Sequence, residues 1–134
     1  MKNQRYVLDS FALLAYLQNE KPAARIDELL VQAARGDAAL HMSLINLGEI
    51  AYLVERRHGA DQCESVLERV LHFPVTMQEV SLERIRAAAH VKASYAISYA
   101  DAFAVALGQE LDAEIVTGDP EFRQVESFVQ ILWL

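Results

Sequence analysis

The sequence predicts an α/β fold, a short parallel sheet of four to five strands with helices on both faces. Short apolar segments alternate with helical patterns of about ten to fifteen residues, the signature of a parallel sheet with crossover helices. The chain has 134 residues, 53% of them hydrophobic, enough for one core and too few for two. No internal repeat, low-complexity tract or linker rich in Gly, Ser or Pro divides it, so the sequence reads as one domain, residues 1–134.

The elements follow in order. Arg5 to Leu8 is a short apolar strand, and "DSFALLAYL" is a helix, with Phe11, Leu13, Leu14 and Leu17 at helical spacing. "KPAARIDELLVQAARGD" is a second helix, with Pro22 in its first turn and Gly36 at its stop. "ALHM" is a strand, after which Ser43 caps "LINLGEIAYLVERRHG", a helix ending at Gly59. A fourth helix covers Asp61 to Leu71. Pro74 keeps "FPVTM" extended, because the residue before proline is held out of helical geometry. Ser81 caps "LERIRAAAHVKAS", and Ser98 opens a helix that closes near Asp112. Glu114 to Val116 is a strand that turns at Gly118 into a helix starting at Pro120, and "FVQILWL" is a last strand.

Composition narrows the function classes. No apolar run reaches the ~18 residues a membrane span needs, and the start "MKNQRYVLDSF" lacks a signal-peptide pattern, so the expected location is cytoplasmic with no membrane partner. The single Cys63 has no second Cys or nearby His at zinc spacing and is expected to be a small packing residue. A formal net charge of −7 argues against a generic nucleic-acid binder, which carries a basic excess.

Four acids stand out by position: Asp9 ends the first strand, Glu49 lies in an apolar stretch of helix, Asp101 sits in "AISYADAFAVALGQ", and Asp119 follows the strand "EIV". Each has a purely structural account. Asp119 before Pro120 has the pattern of a helix cap, Asp9 or Ser10 can cap the next helix, and Asp101 lies three residues after the potential cap Ser98. Glu49, about two turns into its helix, is best accounted for by a solvated face.

Together these accounts strain. Asp9 and Asp119 both follow strands of a parallel sheet and therefore reach one edge, where the start of the Asp101 helix can also arrive. Two carboxylates ~4 Å apart repel by roughly 4 kcal/mol at an effective dielectric near 20. A divalent cation resolves the repulsion. Carboxylate oxygens without His or Cys select Mg²⁺ or Mn²⁺, and such ions activate water for attack on phosphate. Two divalent ions held by four of the 19 acids would leave the site locally neutral, which weakens the charge objection. Arg56, Arg57, Arg84, Arg86, Lys92 and Arg123 are the cations available for an RNA backbone, although a charged helical residue is commonly only solvated.

At these residues the sequence resembles the PIN-domain family, and within it the VapC-type toxins of toxin-antitoxin pairs. The matching stretches are "YVLDSFALLAYLQNE", "SLINLGEIAYLVERRHG" and "ISYADAFAVALGQELDAEIVTGDPEF", in the family's order and covering nearly the whole chain with the helices between them. The resemblance implies a PIN-like three-layer sandwich and a metal-dependent ribonuclease acting on single-stranded or structured RNA. It implies Asp9, Glu49, Asp101 and Asp119 as the catalytic and metal-binding acids, with Asp119 the more peripheral. It matches Ser10, Ser43, Asn46 and Thr117 to positions that steady the acids or the bound water. The family also implies a homodimer and a small VapB-like antitoxin whose tail covers the acidic site.

Rivals from other classes lack their residues. A dehalogenase-like phosphatase needs an acid two positions after Asp9, where Phe11 stands. G-x-S-x-G, H-E-x-x-H and a Gly-rich phosphate loop are absent. The alternatives left open are an RNA-maturation nuclease without an antitoxin and a non-catalytic PIN-like module that binds RNA or protein.

Overall fold

A computed structural model describes residues 4–134. The elements, in chain order, are β1 (Gln4–Leu8), α1 (Ser10–Leu17), α2 (Ala23–Ala34), β2 (Ala38–Ser43), α3 (Leu44–His58), α4 (Ala60–Leu71), β3 (Val75–Gln78), α5 (Leu82–Ser94), α6 (Tyr99–Leu111), β4 (Glu114–Thr117), a 3₁₀ segment (Pro120–Val125) and β5 (Ile131–Trp133). All five strands run parallel in the order β3-β2-β1-β4-β5. The predicted parallel sheet with helices on both faces is therefore the fold.

Strand alternation builds two cores. Val7 and Ile115 face α5 and α6, packing with Ala102, Val105, Phe122 and Val125. Their neighbours Leu8 and Val116, with Leu40 and Met42, face the other way onto Leu13, Ile26, Leu29 and Ile50 of the first three helices. Helix α6 is buried without interruption from Asp101 to Gly108. It lies so close to β4 that a Cβ on Gly108 would fall 2.9 Å from Cγ1 of Ile115. Cys63 is buried, its thiol donating to the Ala51 carbonyl at 3.3 Å, as a packing residue would.

Helix starts are set locally. Ser43, Ser81 and Ser98 each cap the helix predicted for them, accepting from the backbone N–H groups of Ile45, Arg84 and Asp101. Three expectations need correction. Pro22 sits at the N-cap of α2, one position before the helix. The segment after Asp119 is a 3₁₀ helix of six residues, because its start is drawn tight by Asp119 accepting from the N–H of Glu121, only two residues on. The last strand is confined to Ile131–Trp133. Phe128 and Val129 precede it and pack into the α6 core instead.

The strand order places the site. The chain steps from β1 outward to β2 and β3, then returns to lay β4 on the other side of β1. The carboxyl ends of β1 and β4 thus form a topological switch point, where two connections leave in opposite directions and open a crevice. In the register Leu8 lies beside Val116, and the Asp9 N–H donates to the Val116 carbonyl at 3.4 Å. The next residues along, Asp9 and Thr117, are therefore neighbours at the sheet edge.

Candidate active site

Asp9 begins the site. It is 1% exposed and caps α1, with Oδ1 accepting from the Ala12 N–H at 2.8 Å and Oδ2 accepting from the Thr117 hydroxyl at 2.5 Å. Thr117 Oγ1 in turn accepts from the Asp119 N–H at 3.0 Å, so one hydroxyl ties the end of β1 to the loop after β4. Asp119 uses Oδ1 to cap the 3₁₀ segment at 2.9 Å. The capping accounts of Asp9 and Asp119 are thus true of the structure, and each carboxylate still has lone pairs to offer.

Asp101 differs. Its N–H is capped by Ser98 Oγ at 3.1 Å, yet its carboxyl returns no hydrogen bond to the cap among the described residues. The side chain instead meets Glu121, within hydrogen-bonding reach of it. Carboxylate oxygens of Asp101, Asp119 and Glu121 all lie within 4.8 Å of one another. Asp9, Glu49, Asp101, Asp119 and Glu121 line one cleft of about 290 Å³ together with Ser10, Phe11, Leu14, Leu53 and Ser98. Among the described residues, no Lys, Arg or His lines it.

Electrostatics follow from burial and crowding. Burial, opposed by the Thr117 and Ala12 hydrogen bonds and reinforced by Asp119 and Glu49, pushes the Asp9 carboxyl up to about 7. Burial, the shared hydrogen bond with Glu121 and the charges of Asp9, Glu121 and Asp119 push Asp101 up to about 9. Such a pocket is short of positive charge. An all-oxygen donor set suits Mg²⁺ or Mn²⁺. Ligands at ~2.1 Å from an octahedral ion lie about 3 to 4 Å apart, a spacing comparable to the 4.8 Å within which these three oxygens lie.

Among the other expected residues, Asn46 is fully buried and joins three helices. Its Nδ2 donates to Ser10 Oγ at 3.3 Å and to the Ala100 carbonyl at 3.2 Å, while Ser10 Oγ donates to the Asn46 carbonyl at 3.1 Å. Those contacts lock α3, which carries Glu49, to α1 and to the first turn of α6. Its Oδ1 has no hydrogen-bond partner among the described residues. Ser43 is not brought to the cleft. It caps α3 and lines a separate small cavity with Gln78, Arg84 and Phe103.

The sequence reading missed Glu121. The signal was an acid two residues after Asp119 in "TGDPEF", but an α-helical start gives no reason to aim it at Asp101. Two of the cations considered for RNA are committed elsewhere. Arg84 forms a two-pronged pair with Glu110 at 2.8 and 3.0 Å, and Lys92 donates to the Ile97 carbonyl at 2.6 Å.

Several solved structures share this architecture. VapBC2 from Rickettsia felis, bound to a DNA fragment from its promoter, matches with a TM-score of 0.74 and 18% identity over 98% of this chain and 100% of that one. VapC20 from Mycobacterium tuberculosis, a toxin that cleaves the sarcin-ricin loop, matches with a TM-score of 0.70 and 18% identity over 96% of this chain and 98% of that one. FitAcB from Neisseria gonorrhoeae gives 0.67 and 15% over 95% and 96%. At such identities the likeness is one of fold. A search of curated protein sequences returns no match. The model of the PIN domain matches residues 6–127, a span that holds all five acids of the cleft, and on that match the chain belongs to the PIN-domain family.

Proposed function

We propose that this chain is a Mg²⁺- or Mn²⁺-dependent endoribonuclease that acts as the toxin of a toxin-antitoxin pair. The observation that carries the nuclease reading is the convergence of five carboxyl groups on one cleft that, among the described residues, no cationic side chain lines. A module that only bound RNA would gain by losing these charges. The toxin reading draws on the similar VapBC2 and VapC20 structures, one bound to a DNA fragment from its promoter and the other a toxin that cleaves the sarcin-ricin loop.

Asp101, Asp119 and Glu121 would hold an ion, with Asp9 contributing through its free lone pairs. When bound, such an ion would lower the pKa of a water and offset charge on the phosphate. Glu49 reaches the same cleft from α3, where its carboxylate would orient an attacking water or take its proton. Thr117 holds Asp9 in place, and Asn46 and Ser10 fix the helices that carry Glu49 and Asp101. The working unit is one domain, cytoplasmic and homodimeric, with a VapB-like antitoxin covering the cleft. Among the described residues no helix is long and apolar enough to cross a membrane.

Asp101→Asn tests the nuclease. It should abolish Mn²⁺-dependent cleavage of single-stranded RNA while the circular dichroism spectrum persists; cleavage at the parent rate would overturn the reading. The toxin half is tested by expression. Growth arrest relieved by the product of an adjacent short reading frame supports it, whereas harmless expression of a protein that cuts RNA in vitro favours a maturation nuclease.

A further inference from the structure

Among the described residues, the cleft that holds the acids contains one aromatic ring, and the chain makes room for it. Phe11, two residues after Asp9, is 42% exposed and lines the cleft beside Asp9, Asp101 and Asp119. Its ring lies over the backbone of Gly118, where an added Cβ would stand 2.4 Å from one ring carbon and 2.8 Å from another. The backbone of Gly118 has no left-handed conformation to explain a glycine there, so the ring's seat is what a side chain would destroy. Phe11 is therefore held against the loop that carries Asp119, with part of its surface left to solvent.

The rest of the cleft wall offers a different chemistry. Apart from Leu14 and Leu53, every side chain lining the cleft other than Phe11 is acidic or a serine. With no Lys or Arg lining the cleft among the described residues, these walls offer a polyanion none of the counterion release that drives most nucleic-acid binding. Affinity must come from the metal and from contacts that ignore charge. Base stacking on an aromatic ring is such a contact, worth about 1–3 kcal/mol per base and tolerant of sequence.

We propose that Phe11 is the stacking platform for an unpaired nucleobase adjoining the scissile phosphate, which makes it a substrate-positioning residue. The inference rests on the nuclease reading. An unstacked base must be available, so the substrate is a single strand or a loop. The ring's seat on Gly118 fixes it relative to Asp119 and Asp9, so a base stacked there sets where the phosphate meets the acids.

The test uses the intact protein with Mn²⁺ and a fluorescent single-stranded decaribonucleotide as probe. Phe11→Ala should raise KM about ten-fold, in line with loss of one stacked base, and lower kcat as well, since the phosphate is no longer set against the acids. Phe11→Tyr should restore KM and Phe11→Leu should not, since leucine refills the space over Gly118 but offers no π face. An unchanged KM in the alanine variant overturns the proposal, as does full rescue by leucine, which would make Phe11 a filler of the loop. An unchanged KM combined with loss of a partner protein's grip would assign the ring to protein docking. If the parent neither binds nor cuts the probe, the nuclease reading falls and takes this inference with it; a parent that cuts beside indifferent variants sinks the stacking role alone.

Discussion

The Thr117 hydroxyl donates a 2.5 Å hydrogen bond to Asp9 Oδ2, joining the ends of two parallel strands that are 108 residues apart in sequence. The same oxygen accepts from the Asp119 N–H, so a single side chain sets the spacing between two acids of the cleft. Thr117→Val keeps the shape and removes both interactions. The hydrogen bond holds the Asp9 carboxyl down against burial, so the variant should carry Asp9 above about 7 and weaken Mn²⁺ binding at neutral pH by about 10- to 100-fold. Thr117→Ser should recover most of it. Mn²⁺ titration followed by electron paramagnetic resonance reads the difference; equal affinities for the valine variant and the parent would remove Thr117 from the metal site.

The metal-free protein should lose stability as pH rises. Asp9 and Asp101 keep protons in the folded chain up to about 7 and about 9, against 3.8 for each as an ordinary aspartate. Between those limits the folded state binds more protons than the unfolded state, so the contribution is full below pH ~4 and is lost as pH passes through 7 and 9. Melting temperatures measured in EDTA from pH 5 to 9 should fall, and Asp101→Asn should flatten the upper part and melt higher than the metal-free parent. Saturating Mn²⁺ should abolish the decline, since the bound ion replaces the protons. A flat EDTA profile would show that the carboxyls are ionised without cost.

Glu121 and Glu49 should separate. Glu121 shares a 4.8 Å cluster with Asp101 and Asp119, and Glu49 lines the cleft outside that cluster. Glu121→Gln should weaken Mn²⁺ by about ten-fold or more, because a carboxylate ligand is lost. Glu49→Gln should leave affinity within about three-fold and lower kcat by about 10²-fold or more, as loss of a general base would. Calorimetric Mn²⁺ titration and single-turnover cleavage decide the matter, and equal loss of affinity in both variants would place Glu49 among the ligands.

The close approach of α6 to β4 predicts a stability effect away from the chemistry. Gly108→Ala puts a methyl 2.9 Å from Cγ1 and 3.1 Å from Cδ1 of Ile115, inside a packed core. Overpacking of this kind costs about 1–3 kcal/mol, with helix propensity returning up to ~1 kcal/mol for the exchange of glycine for alanine. A net loss of roughly 1 kcal/mol is expected in urea unfolding. Ile115→Val removes one of the opposing carbons and should cost less in the Gly108→Ala background than alone, a coupling that a double-mutant cycle measures. Additive effects would show that the two side chains do not press on each other.

Much of the fold was legible because its signals are local. Ser43, Ser81 and Ser98 cap where the sequence places them, since a cap needs only its own side chain and N–H groups two or three residues on. Asp9 and Asp119 were legible for a related reason: a parallel sheet sends every strand's carboxyl end to one edge, so acids following β1 and β4 had to reach the same edge. Asp101 and Glu49 were singled out by their apolar surroundings and matched to the site through the family resemblance.

What the sequence could not decide is what depends on register and on the exact turn after a strand. Alternation and caps determined, by themselves, an α/β chain with a polar edge that gathers Asp9 and Asp119. Only the tertiary structure set the order β3-β2-β1-β4-β5, which makes β1 and β4 neighbours and lets Thr117 bridge their ends. It alone tightened Pro120–Val125 into a 3₁₀ segment, bringing Glu121 to Asp101, and sent Ser43 to a different cavity. The physical reason is range. Caps and periodicity act over a few residues, whereas a shared proton, an ion or a ring resting on a glycine needs groups from opposite ends of the chain within a few ångströms. No local pattern carries that distance.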